Sequence, residues 1–243
     1  MKRGVSVIIP VYNAGLTIRQ CLDSILAQKN VAFEIIVQEP GSSDNTFALL
    51  TLYKGQIRLF SENDLGVYDA MNKGIKKAQY DWLYFIGADD YLASDDVFEK
   101  MLSQNTGPEK ILFGDVSYVN AKNAAIPFKH SSSFGTILFW KNALHHQAAL
   151  YHKDCFESNL YQTEYKILAD YAFNLDCLRN GISAKNCQLS VAVCGAEGIS
   201  KSFRFAQYLQ ELRLKYRRVP FLFFLINIPW VLFKYAYKQV HRR

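Results

Sequence analysis

The segment VSVIIPVYNAGLTIRQCLDSILAQ, residues 5–28, changes its hydrophobic period partway along. Residues 5–12, VSVIIPVY, are a continuous apolar, β-branched run, which predicts a strand buried on both faces. Apolar residues then recur at Ile18, Cys21, Leu22, Ile25 and Leu26, the spacing of one helical face, so the segment reads as a β-α unit. The pattern continues with a strand FEIIVQE (33–39), a turn PGSSDNT in which Ser43 or Asp44 can cap a helix, and a strand IRLFS (57–61). Val67, Ala70, Met71, Ile75 and Ala78 mark another helix before the strand WLYFI (82–86). Apolar strands alternating with helices predict an α/β fold, a mostly parallel central sheet covered by helices on both faces.

Ligands of such sheets bind outside the carboxyl ends of the strands, where the loops YNAG, QEPGSSD, ENDLG and GADD fall. GADD ends in two adjacent carboxylates, Asp89 and Asp90. Paired carboxylates there suit a hard divalent cation that neutralises substrate phosphates; they equally suit the capping of a turn. The stretch alone leaves both readings open.

Half of the 243 residues are apolar and 14% aromatic, enough for one large core with an appendage. The five cysteines contain no C-x-x-C pair and the MKRGVSVIIPVYN start has no secretory pattern, so a reducing, cytoplasmic setting is expected. The net charge of +6 conceals an asymmetry: residues 200–243 hold ten Lys/Arg against the single acid Glu211, leaving the body at −3. With basic residues terminal and aromatics core-like, nucleic-acid binding is not expected.

In order and spacing, VSVIIPVYNAG, FEIIVQEPGSSDNT, SENDLGVYDAMNKGI, FIGADDYL and FGDV resemble the nucleotide-sugar-binding half of family 2 glycosyltransferases, which have the Rossmann-like GT-A fold. HHQAALYHKDCF and YKILADYAFNLDCLRNG resemble the acceptor-side half, and the GVYDAMNKGI helix is similar to that of short bacterial enzymes of polysaccharide and lipopolysaccharide assembly. The resemblance implies a donor half over residues 1–119 and an acceptor half over 120–212. It implies donor contacts from Pro10, Tyr12, Ala88 and Asp89, and from Asp69, Asn72 and Lys73 on the 67–78 helix. Tyr12 has core packing as its alternative, and Lys73 a solvated helix face. Glu39 stands where the family commonly has an Asp that meets the base, and a carboxylate there suits uracil, so a uridine diphosphate sugar is the expected donor. Asp89 matches the metal-binding Asp of the D-x-D signature while Gly87 replaces the first Asp; Asp90 or water would complete the shell of Mn²⁺ or Mg²⁺.

Asp170 in ILADY precedes a helical run, so its residue-level reading is an N-cap; the family implies a general base. Glu164 and His146 are the fallbacks for that role. His145, His146 and Gln147 fall near the cleft as acceptor contacts, metal ligands or structural residues. The implied chemistry is metal-dependent, inverting transfer of a hexosyl or N-acetylhexosaminyl group to a hydroxyl of a glycan or lipid-linked saccharide. The rivals are a non-catalytic sugar-binding protein of the same fold and a nucleotidyltransferase, although no basic, glycine-rich loop lies near the N-terminus.

At about residue 213 the composition shifts to RLKYRRVPFLFFLINIPWVLFKYAYKQVHRR. The uncharged run 219–233 would span about 22 Å as a helix, short of a roughly 30 Å hydrocarbon core, and Pro220 and Pro229 argue against one straight span. Basic flanks with Trp230, Tyr235 and Tyr237 predict a membrane-associating amphipathic appendage, 213–243, lying on an anionic, cytoplasmic membrane face. A helix hairpin packed on the domain is the alternative. Truncation after Lys215 is expected to leave a folded body.

Overall fold

The computed structural model describes residues 3–120, 123–195 and 205–240, with side chains omitted for 120, 123–128, 205 and 236–240. The sheet is built on β1 (Val5–Pro10), flanked by β2 (Phe33–Glu39) and β4 (Trp82–Phe85), with β3 (Arg58–Ser61) beyond β2. These four strands are parallel. Val5, Val7 and Ile9 pack with α1 (Ile18–Leu26) and α4 (Val97–Ser103); Ile8 and Ile36 pack on the opposite face with α3 (Val67–Lys77) and α5 (Ala169–Arg179). Both faces are thus covered, the physical reason the strands read as unbroken apolar runs. The short α2 (Thr46–Thr51) lies against α1. Gly74 lets α3 approach β1 closely: a Cβ there would sit 2.4 Å from Ile8 Cγ2.

The other half of the sheet is mixed. β5 (Tyr91–Leu92), β6 (Ile111–Asn120), β8 (Ala149–His152) and β9 (Ala184–Cys194) extend the order to β3-β2-β1-β4-β8-β6-β9-β5, with β8 antiparallel to β4 and β6, and β9 parallel to β6. β7 (Asn123–His130) pairs only with β6, as an antiparallel hairpin. All five cysteines are free and buried.

α6 (Phe205–Arg218) and α7 (Phe221–Val240) form an antiparallel hairpin. The compositional boundary at 213 falls inside α6, and α7 continues through Pro229. Arg218 anchors α6 to the body, donating to Asp176 at 3.0 Å, Gln162 at 2.8 Å and Tyr165 at 3.4 Å. A cut after Lys215 would remove this anchor together with the Asn227 side-chain carbonyl that Lys215 meets. Among the described residues no helix is long and apolar enough to cross a membrane. The side chains of Tyr237 and Lys238 lie outside the described residues.

Candidate active site

The carboxyl ends of the parallel strands β1, β2 and β4 lie along one rim of the sheet, and the loops there are tied by their own polar groups. Asn13, at a positive φ of 50°, receives the Ser43 N–H at its side-chain carbonyl (2.9 Å), while its own N–H meets Ser42 Oγ. Gly15 N–H donates to Asp44 and Ala14 N–H to Thr46 Oγ1, so the loops after β1 and β2 form one unit. Pro10 ends β1, and Tyr12 follows it 64% exposed, which excludes its core-packing alternative.

Glu39 does not present its carboxylate to that rim. It is 1% exposed and curls back to accept the Gly41 and Ser42 N–H groups, with Ser61 Oγ at 3.5 Å from its other oxygen. The base contact implied for Glu39 is thus replaced by a loop-anchoring role, which the extra methylene of Glu relative to Asp makes reachable.

The carboxylate pair after β4 divides. Asp89 is exposed, beside the buried Ala88. Asp90 is 4% exposed and accepts Gly87 N–H (3.2 Å), Gly195 N–H (2.9 Å) and Gln147 Nε2 (3.2 Å). Burial, and then the charge of Asp89, push the Asp90 carboxyl above its ordinary value despite those donors. Asp90 therefore pins the loop, and Gln147 belongs to that anchor. Asp89 alone projects a hard oxygen donor from this loop. A lone exposed carboxylate fits Mg²⁺ or Mn²⁺ only in the manner of sites completed by water and substrate phosphate. Among the described residues no three His, Cys, Asp or Glu side chains gather into a metal cluster.

On α3, Asp69 caps the Leu65 N–H and pairs with Lys73 at 3.0 Å, while Lys73 also donates to the Asn63 carbonyl. Both side chains hold the 63–66 loop. Asn72 is buried and clamps Tyr161 twice, Nδ2 to its carbonyl at 2.8 Å and Oδ1 from its N–H at 3.0 Å. The expected ribose or sugar contact of Asn72 is corrected accordingly: it joins the two halves of the chain.

Tyr68, one turn before Asn72 on the same face, was not singled out by sequence. Its hydroxyl bridges the Ile167 carbonyl (2.9 Å) and Asp170 Oδ1 (3.2 Å). Asp170 stands in the first turn of α5, 5% exposed, with its own carboxylate meeting Tyr171 N–H at 2.7 Å, Asn142 Nδ2 at 3.5 Å and His146 Nδ1 at 3.3 Å. Burial raises its pKa, but the His146 hydrogen bond and charge, with the Tyr171 N–H, outweigh it and hold the carboxyl below its ordinary value. His145 is a packed residue: its ring lies 4.8 Å from that of His130, and burial pushes its pKa down to about 4. Glu164 is exposed, in a loose 3.7 Å pair with Arg217.

Comparison with known proteins agrees with this architecture. Glycosyl transferase family 2 matches residues 6–166. A PGL/p-HBAD biosynthesis glycosyltransferase of Mycobacterium bovis is 32% identical over 183 residues, 72% of this chain and 70% of the relative. The glycosyltransferase YibD of Escherichia coli is 38% identical over 89 residues, 35% of this chain and 26% of its own. Among solved structures, S. aureus TarS 1–349 with UDP-GlcNAc superposes with a TM-score of 0.71 at 18% identity, covering 90% of this chain and 66% of that one. The mannosyltransferase PcManGT of Pyrobaculum calidifontis, solved with GDP-Man and Mn²⁺, gives 0.61 at 19% identity, covering 88% of this chain and 61% of that one. The chain therefore spans about two-thirds of the length of these structural neighbours.

Proposed function

The chain belongs to glycosyl transferase family 2 and is a glycosyltransferase using a nucleotide sugar; we propose that it transfers the sugar with inversion, Asp170 acting as general base. The observation that carries this reading is the convergence on Asp170 of groups from both halves of the chain: Tyr68 from the donor half, Asn142 and His146 from the acceptor half. Asp170 takes the proton of an acceptor hydroxyl as its oxygen bonds to the anomeric carbon, and the bond from that carbon to the nucleoside diphosphate breaks on the opposite face. The electron pair leaves with the diphosphate. No enzyme nucleophile beneath the sugar is required. The acceptor proposed is a hydroxyl of a glycan or lipid-linked saccharide in surface polysaccharide assembly.

The donor proposed is a UDP-hexose or UDP-N-acetylhexosamine. Tyr12 presents an aromatic face at the end of β1 suited to a planar base, and TarS was solved with UDP-GlcNAc. PcManGT, solved with GDP-Man, makes GDP the informative competitor. Asp89 is the residue proposed to hold a divalent cation, Mn²⁺ or Mg²⁺, whose chemistry is to neutralise charge on the departing diphosphate. Ala88, buried beside it, is the neighbouring residue of the proposed donor-binding loop.

A second reading of the base has its own support. Asp170 is nearly enclosed, and His146 lies against it, so the imidazole rather than the carboxylate is a candidate to meet the acceptor, with Asp170 orienting it. Release of nucleoside diphosphate from a sugar donor, measured with Asp170→Asn and His146→Gln over a pH series, separates the two. A chain that binds donor and never releases diphosphate under any acceptor would instead be a binding protein.

A further inference from the structure

The C-terminal hairpin is inside out for a water-facing element. Lys215 on α6 is fully buried and donates to the Trp140 carbonyl (2.8 Å) and to Asn227 Oδ1 (2.7 Å), while Glu211 receives both Lys215 and Lys234 at 2.8 Å. Asn227 is fully buried as well. Asn227 and Lys234 of α7 thus face α6 and the body. Its outer arc is apolar: Phe221, Leu222, Leu225, Ile226, Leu232 and Phe233 share one helical face, exposed up to 73% at Leu222. An exposed apolar face of this extent on a helix is a surface built to be covered.

The surroundings of the face say by what. Helices α6 and α7 hold six Lys/Arg, and their single acid, Glu211, is consumed by two lysines in the seam. A second copy of the chain would offer Arg213 and Arg217 no free carboxylate from its own hairpin. Arg213, Tyr216 and Arg217 instead line an open groove of about 390 Å³ beside Tyr165 and Glu164, where the Glu164 carboxylate makes only an exposed 3.7 Å pair with Arg217, and Tyr216 contacts Phe224 of α7 at 5.3 Å between rings. Phosphate oxygens suit guanidinium groups bidentately. A helix with one buried polar side and one apolar side is suited to the plane of a bilayer, and among the described residues no helix is long and apolar enough to cross one.

We propose that the α6–α7 hairpin docks the protein flat on an anionic bilayer, the outer face of α7 entering the acyl boundary while Arg213 and Arg217 take lipid phosphates. The surface stands apart from the proposed reaction, since none of these residues touches the candidate base or metal position. It differs from a simple basic tail in that the apolar contact belongs to a folded, body-anchored element.

The test uses the full chain with phosphatidylcholine vesicles, pure or with about a third phosphatidylglycerol, in co-sedimentation. Partition is expected to be about tenfold or more stronger on the anionic vesicles, to fall by about tenfold or more in Leu222→Ser/Leu225→Ser/Phe233→Ser, and to lose its anionic preference in Arg213→Gln/Arg217→Gln. Trp230, at the margin of the face, is expected to shift its emission to the blue when anionic vesicles are added to the unsubstituted chain. That readout needs no variant and decides the matter if a substituted chain melts differently. Failure to sediment with either vesicle, equal partition of the apolar triple variant, or a lipid-free dimer that the triple variant dissociates without vesicle binding would each overturn the proposal.

Discussion

His146 Nδ1 lies 3.3 Å from Asp170 Oδ2, while Tyr68 reaches the other oxygen of the same carboxylate from a helix about a hundred residues earlier. The contact joins a segment after β7 to the first turn of α5, and Tyr68 brings α3 to the same carboxylate. A nearly enclosed carboxylate is costly unless donors satisfy it, and here several do.

If Asp170 is the base, Asp170→Asn should lower transfer by about a hundredfold or more while donor binding and melting temperature hold, because size and much of the capping capacity remain. Asp170 is held below its ordinary value, so it stays ionised down to acid pH. The kcat/KM profile should then stay flat from neutrality to about pH 5. Asp170→Asn retaining most of the rate while His146→Gln loses it would transfer the role to His146.

Asp89 and Asp90 should fail differently. Asp89→Ala removes an exposed oxygen, so melting should not move, whereas calorimetry should show UDP binding weakened and no longer sensitive to chelator. Asp90→Ala strips an acceptor from Gly87 N–H, Gly195 N–H and Gln147, a loss of about 1–3 kcal/mol for groups left unsatisfied. Equal UDP binding by wild type with and without chelator would remove the metal role altogether.

Both the legible and the illegible parts of this protein have physical reasons. The order from β1 to β4 was readable because each strand is covered on both faces and each helix repeats an apolar face. β7 was not: Asn123–His130 contains Pro127, which reads as loop, yet β7 pairs only with β6, and such an edge tolerates a residue without an N–H. Within the candidate site, the position of Asp89 at a strand end was readable. Glu39 and Asn72 took other roles because their partners, Gly41 with Ser42 and Tyr161, are set by loop closure and tertiary contact. Tyr68 carried one usable signal, its i,i+4 spacing to the buried Asn72.

The hairpin seam makes stability depend on acid. Burial raises the Glu211 pKa, but Lys215 and Lys234 outweigh it, so the folded value lies below the ordinary 4.5. A depressed carboxylate contributes fully above the unfolded value and loses its contribution as pH falls through the folded one. Melting should thus drop below about pH 4.5, and Glu211→Gln should abolish that part of the dependence. At neutral pH the substitution should cost about 3 kcal/mol or more, since it leaves buried Lys215 without its counter-charge. A Glu211→Gln chain with unchanged melting at pH 7 would show that the seam contributes nothing.

Restoring the first acid of the family signature should harm the protein. A Cβ at residue 87 would lie 2.8 Å from Asp90 Oδ2 and 2.9 Å from Asp89 Oδ1. Side-chain ends often swing aside from such a clash, but Asp90 is fixed by three donors and is already 4% exposed. Gly87→Asp would add a third negative charge within contact of two others, one of them already pushed toward protonation by burial and then by Asp89. The expected outcome is a loss of about 1–3 kcal/mol in denaturant unfolding, by overpacking of a pinned loop, with no tightening of Mn²⁺-dependent UDP binding. A stable Gly87→Asp chain that binds Mn²⁺ and UDP more tightly would mean that the loop opens to take an ordinary acidic signature, and that Asp90 is a ligand after all.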